Sequence, residues 1–323
     1  MSNPPVVVQR EGFSLSGRSA LFGVTLLTAV PSTALAAEPE VVEYAPSSDW
    51  HLDYAEARCR IVRTFGEGDD ETVLYMEQLQ PSATLGWVAA GGLVKALGSR
   101  SKFQVQFGPG LAPFEIDTEA RYTLGKFGAS IHGSNIGNMG PVAVSVAAAV
   151  DTEVSDPSPP MQPTPVGMPA LSVEEGKSIE WIEFTRKDRH YRLRTGEMGS
   201  VFAAMNACMA NLVEHWGADS ETLSGRAAAP RLLNIQRVAK EVQKSYPSKA
   251  ERRGESADLN IRVMVDEKGR VSSCHITEIT SAENFSDVAC DKFTQLAQFE
   301  PARNMDGEAV ASYYVTTVRY RMY

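Results

Sequence analysis

Histidine and cysteine are scarce: 323 residues hold five His and four Cys. His51, His132, His190, His215 and His275 include no pair at i,i+4 spacing, and Cys-x-x-Cys does not occur, so no zinc-ligand pattern is present. No metal or cofactor is expected. Ser130 and Ser134 flank His132 in a Gly-rich stretch, yet Gly-x-Ser-x-Gly is missing and no nucleophile elbow can be drawn. Gly176-Lys177-Ser178 has the ending of a phosphate loop, but Leu171 stands where its first glycine belongs, so it reads as a turn. The run Glu67, Asp69, Asp70, Glu71 lacks calcium-loop spacing and reads as a solvated turn. No residue earns a catalytic role, and an enzyme is not the expected class. A run of about twenty apolar residues, the length needed to span a membrane as a helix, is also missing. So is an excess of cations: 31 Lys and Arg against 40 Asp and Glu give −9, which argues against nucleic acid as a partner.

The amino terminus has Arg10 and Arg18, the 11-residue apolar run Ala20 to Val30, Pro31, and small residues at Ala34 and Ala36. Those are the parts of a cleaved secretory signal covering residues 1–36. Its removal takes away two arginines and one glutamate and moves the formal charge from −9 to −10. The expected compartment is the oxidising periplasm of a Gram-negative bacterium, where cysteines pair. Membrane contact is then only indirect.

The length suggests two domains, and the fold class is α+β. Residues 37–216 read as a β-rich domain closed by a helix. Cys59 to Phe65, Thr72 to Leu79, Phe103 to Phe107, Ile179 to Phe184 and His190 to Arg194 are short strand-like runs, with turn residues at Gly66 to Asp70 and at Lys187 and Asp188. They suggest an antiparallel sheet or sandwich. Gly125 to Val150 suits strand and buried helix equally. The prolines between Asp156 and Pro169 mark a surface loop. Val201, Phe202, Met205, Cys208, Met209, Leu212, Val213 and Trp216 recur at helical spacing, and Gly217 stops them. A linker, 217–229, follows.

Residues 230–323 read as helix, strand, strand, helix, strand. Pro230 is placed at the start of a helix whose stripe is Ile235, Val238, Ala239, Val242 and Tyr246, ended by Pro247. Leu259, Ile261, Val263 and Val265 alternate with Asn260, Arg262 and Met264, as in a strand with one buried face. Asp266 to Gly269 is a hairpin loop with Gly269 in the left-handed position. A second strand runs from Arg270 to Glu278. Phe285, Val288, Ala289, Phe293, Leu296 and Ala297 then mark a helix, and Ala311 to Tyr320 a last strand.

Tyr246-Pro247, Val265-Asp266 with Gly269-Arg270-Val271, and Phe299 with Pro301-Ala302-Arg303 and Gly307 resemble the C-terminal domain of TonB, the periplasmic energy transducer. The resemblance is confined to residues 230–323, and Ile279 to Asp287 departs from it. Residues 41–216 lie outside it. It implies a three-stranded antiparallel sheet packed on helices, with the first hairpin strand central and the last strand at an edge. The edge residues Tyr313, Tyr314, Val315, Thr316, Thr317 and Val318 would then take an extended peptide by strand addition. The implied partner is the N-terminal box of an outer-membrane TonB-dependent transporter, or another envelope protein, and a homodimer through this domain is a further expectation. Arg319 and Arg321 are placed to steer an acidic partner. A TonB proper also has a histidine-bearing membrane helix and a long Pro-rich spacer, and residues 1–229 show neither. The alternatives are an envelope scaffold that binds peptidoglycan or a partner protein, and an enzyme with an unrecognised site in the first domain.

Cys274 lies on the second strand and Cys290 beside the apolar stripe of the next helix, so helix-on-sheet packing brings them together. Cys59 and Cys208 would join an early strand to the helix that closes the first domain. Of the three pairings open to four cysteines, this one alone keeps each bond within a domain.

Overall fold

The computed structural model describes residues 40–98, 100–119, 122–134, 136, 167–279, 284–285 and 287–321. The expected signal and most of the Pro-rich loop lie outside the described residues, as does 137–150 of the undecided middle. The described residues belong to one compact unit.

The first half begins with β1 (Val41–Tyr44), β2 (His51–Ala55), β3 (Arg58–Phe65), β4 (Thr72–Gln78), β5 (Gly86–Gly91) and a short helix α1 (Gly92–Leu97). There follow β6 (Arg100–Pro109), β7 (Phe114–Glu119), β8 (Tyr122–Thr123), β9 (Ala129–Gly133), α2 (Val173–Lys177), the hairpin β10 (Ile179–Arg186) and β11 (Arg189–Leu193), and the long helix α3 (Gly199–His215). These strands form two sheets, ordered β1-β11-β10-β6-β7 and β2-β3-β4-β5-β9-β8. Within them β1 runs parallel to β11, a departure from the all-antiparallel expectation.

The two sheets form a sandwich. Period-two alternation puts Cys59, Ile61 and Phe65 of β3 inside, and Trp87 of β5 meets Phe184 of β10 edge-on, ring centroids 5.6 Å apart. Helix α3 presents Val201, Phe202, Met205, Cys208, Met209 and Leu212 to this core, the i, i+4, i+7 stripe of an amphipathic helix. Gly217, at φ 94°, takes the chain out of it.

The second half contains α4 (Ser220–Ser224), β12 (Arg231–Leu232), α5 (Ile235–Lys244), α6 (Ser248–Arg253), β13 (Ala257–Val265), β14 (Val271–Ile279), α7 (Val288–Leu296), β15 (Phe299–Glu300), β16 (Ala302–Arg303), β17 (Ala309–Val310) and β18 (Ser312–Tyr320). The three-stranded sheet is antiparallel with order β14-β13-β18. On one face Leu259, Ile261, Val263 and Val265 pack with Val238 and Val242 of α5 and Ala289 and Phe293 of α7. Gly269, at φ 74°, closes the hairpin, and a Cβ there would overlap the Phe299 carbonyl.

Three readings need correction. Pro230 does not open a helix: Arg231 and Leu232 pair with Glu300 and Phe299, and α5 starts only at Ile235. Segment 217–229 is not a bare linker. It forms α4, capped by Asp219 accepting from the Thr222 N–H at 2.6 Å, it buries Leu223 and Arg226, and Ala227 and Ala228 both donate to the Arg303 carbonyl. β13 buries both faces, since Arg262 and Met264 are each 4% exposed. Val213, Ala218 and Leu223 cover this second face together with Trp216.

Candidate functional site

β18 reads Ser-Tyr-Tyr-Val-Thr-Thr-Val-Arg-Tyr, β-branched and aromatic residues that favour a pleated strand. It pairs with β13 and lies at the edge of its sheet. Two side-chain bonds tell which backbone groups point outward. The Asn260 carbonyl accepts from Thr277 Oγ1 of β14 at 3.0 Å, so it faces β14. Opposite it across β18 stands Thr317, whose Oγ1 donates to Asn260 Oδ1 at 2.7 Å. Asn260 and Thr317 are therefore a non-hydrogen-bonded pair, and the Thr317 N–H and C=O turn away from β13. By the alternation of an antiparallel ladder, so do those of Tyr313, Val315 and Arg319. The Arg319 carbonyl bears this out, because Gln243 of α5 reaches it with Nε2 at 2.8 Å.

Beside this edge runs a narrow groove of about 40 Å³. Leu232, Ile235, Ala239 and Val242 form one wall, Tyr314 and Val318 the other. A strand added to β18 would lay every second side chain over this groove. Tyr314 is anchored edge-on to Phe299 at 5.1 Å, and burial pushes its hydroxyl pKa up. Tyr320 is fully buried among Tyr246 and Phe285, its pKa pushed up by burial to about 12. The Tyr-Pro turn is held by the Tyr246 hydroxyl donating to the Glu255 carbonyl.

The six expected edge residues thus divide by face. Tyr314, Thr316 and Val318 line the groove, and Thr317 borders it with its hydroxyl turned to Asn260. Tyr313 is 7% exposed and lies edge-on to Trp216 at 6.0 Å. Burial raises its pKa to about 12, with Arg226 pulling the other way. Val315 packs partly on the same side. Of the two arginines placed to steer a partner, Arg321 is taken by Asp258 at 2.7 Å, and Arg319 is exposed. Sequence reasoning missed Gln243 and the groove wall of α5. The signal was there: Ile235, Ala239 and Val242 sit on one face, with Gln243 at its border.

The structure brings Cys59 of β3 to Cys208 of α3 in a disulfide, Cα atoms 6.1 Å apart, and Cys274 of β14 to Cys290 of α7, 5.3 Å apart. Ser130, 1% exposed, lies with Oγ 3.1 Å from His132 Nε2 and donates to the Tyr122 carbonyl at 3.2 Å. Lys177 bonds Glu174 at 2.6 Å, and Gly176 lies against Phe202, which is close helix packing. Glu71 pairs with Lys126 at 3.0 Å. No group of three metal-binding side chains is found among the described residues. Nor is any helix among them long and apolar enough to cross a membrane.

Residues 242–322 match the family of the Gram-negative bacterial TonB protein C-terminal. The match begins inside α5 and takes in the hairpin, α7 and β18. No curated protein matches the chain.

Proposed function

We infer that this chain, whose final segment carries a TonB C-terminal domain, is an exported envelope protein that binds an extended peptide by strand addition to β18. The observation behind this reading is the outward-turned backbone of Val315 and Thr317 beside the apolar groove between α5 and β18. Main-chain bonds to these two residues would supply affinity, and alternate side chains over Val242, Ala239 and Val318 selectivity. Gln243 already occupies the Arg319 carbonyl, so the added strand ends there or displaces it. The partner class is the N-terminal box of an outer-membrane TonB-dependent transporter, and the role is in outer-membrane transport. The domain acts by protein contact rather than by catalysis.

The test uses the direction of single N–H groups. The Val315 N–H faces out, so Val315→Pro removes a donor offered to the partner while leaving the β13 ladder whole. The neighbouring Thr316 N–H faces β13, so Thr316→Pro breaks the ladder. Capture of transporter box peptides should fall at least about tenfold for Val315→Pro, one lost bond with its desolvation cost, with thermal stability nearly unchanged. Thr316→Pro should lower the melting temperature markedly. Capture by Val315→Pro at the level of the unmodified chain would sink the proposal.

A further inference from the structure

The contact between the C-terminal sheet and the residues ahead of it has an unusual composition. Its apolar part joins Val213, Ala218 and Leu223 to Met264 and Tyr313, with Met168, Trp216, Val310 and Val315 partly buried against them. Two arginines, Arg226 and Arg262, are buried in the same region, each 4% exposed. Arg262 Nε and Nη1 and Arg226 Nε have no hydrogen-bond acceptor, and neither has Trp216 Nε1. Arg262 lies 3.7 Å from the Trp216 ring centroid with no other partner for Nε and Nη1, and Arg226 lies 5.9 Å from the centroid of Tyr313, whose hydroxyl is within its hydrogen-bonding reach. Cation–π attraction returns only part of the hydration a guanidinium loses, and it leaves the N–H donors unsatisfied. Other partly buried arginines of the chain have oxygen acceptors, Arg192 and Arg60 the carboxylates of Glu183 and Glu77, Arg63 and Arg186 backbone carbonyls. The cations at this contact thus favour separation of the surfaces, while the apolar side chains favour closure.

We propose that this contact is a latch: the C-terminal sheet undocks from the first half about the joint at Arg226 and Ala227, exposing Arg262, Met264 and Tyr313 to water. The joint falls between Arg226, whose carbonyl accepts from the Gly167 N–H on one side, and Ala227, which is exposed and donates to the Arg303 carbonyl on the other. The closed latch holds the Tyr313 ring beneath Trp216 and packs Val315 on the same cluster, so one face of the β18 edge is covered. The open latch uncovers that face to an added strand. This last consequence rests on the strand-addition reading; the latch itself does not.

Hydrogen exchange of the whole chain tests it, read on segments 212–229 and 309–316 with 58–78 as reference. Arg262→Met keeps the reach of the side chain and removes the buried charge, a replacement that is often neutral or stabilising. It should slow exchange of both segments about tenfold, the equivalent of one buried unsatisfied donor removed. Trp216→Ala should speed it by a similar factor, with the 58–78 segment unaffected in both variants. Peptide capture plays no part in this readout, so its failure and that of strand addition are distinguishable. Exchange in Arg262→Met at the unmodified rate or faster would overturn the proposal, because the guanidinium would then be holding the contact shut. Failure of Arg262→Met to form both disulfides would overturn it for the same reason.

Discussion

Glu183 is 8% exposed on β10, where Arg192 donates to Oε2 through Nε at 2.9 Å and Nη2 at 2.6 Å, and His190 Nδ1 lies 3.0 Å from Oε1. Burial alone would push its carboxyl pKa up. The bonds from His190 and Arg192, with the charge of Arg192, more than reverse that, and the carboxyl pKa ends below its ordinary value. A carboxylate depressed in the folded state adds stability above its unfolded pKa and loses it as pH falls through the folded one. Glu183→Gln should therefore cost about 2 kcal/mol at neutral pH, after allowing for the partial exposure of Arg192. The gap should close on acidification below about pH 4.5, as followed by urea unfolding across the pH range. A gap independent of pH would mean that shape rather than charge sets the cost. In the sequence Glu183 looks like any polar residue of an alternating strand, because alternation reports the face of a residue but not what lies beside it. Arg262 misleads for the same reason. It falls on the face a lone sheet would give to solvent, and no local pattern announces that Trp216, 46 positions earlier, covers it.

At the scale of elements, period and punctuation carry the information. The hairpin at Gly269 and α3 are legible because apolar spacing and a glycine stop agree with burial, whereas the spacing of β13 gives the strand but not its second buried face. The start of α5 is not legible, because proline suits both a first helical turn and the residue ahead of a short edge strand, and only the distant β15 decides for the strand. The spacing places Phe285 in α7, but it precedes the helix, its ring packed on Tyr246 and Tyr320. The disulfides also act at this scale. Cys274 and Cys290 are 16 positions apart, Cys59 and Cys208 149. In the chain-entropy model the short closure is worth about 3 kcal/mol and the long one about 5 kcal/mol. Replacing both cysteines of a pair by serine should thus destabilise the chain more for Cys59 and Cys208, as measured by denaturant midpoints at constant slope. Equal losses would show that local strain or residual unfolded structure, rather than loop length, governs the difference.

At the scale of the molecule, the C-terminal sheet has its own helices on one face and borrowed cover on the other. Its own core joins Val238, Val242, Leu259, Ile261, Val263, Ala289, Phe293 and Tyr320, and it holds the Cys274–Cys290 bond. Those parts lie within residues 230–323, so that segment alone should fold. It will do so with Met264 and Tyr313, 4% and 7% exposed in the whole chain, turned to water. Exposing two such side chains costs about 3 kcal/mol by area, and rehydration of Arg262 offsets part of that. The isolated segment should accordingly unfold at lower denaturant than the same sheet in the whole chain, followed by the fluorescence of its tyrosines, since none of the four tryptophans lies in 230–323. It should also self-associate with rising concentration in sedimentation, because an uncovered apolar patch beside a free sheet edge invites pairing. Met264→Gln and Tyr313→Thr together should abolish that association in the segment. In the whole chain the same pair should instead destabilise, because there the two side chains are packed against Val213, Ala218 and Leu223. A segment as stable as the whole chain and monomeric at all concentrations would refute the view that the first half is part of the folding unit of the sheet.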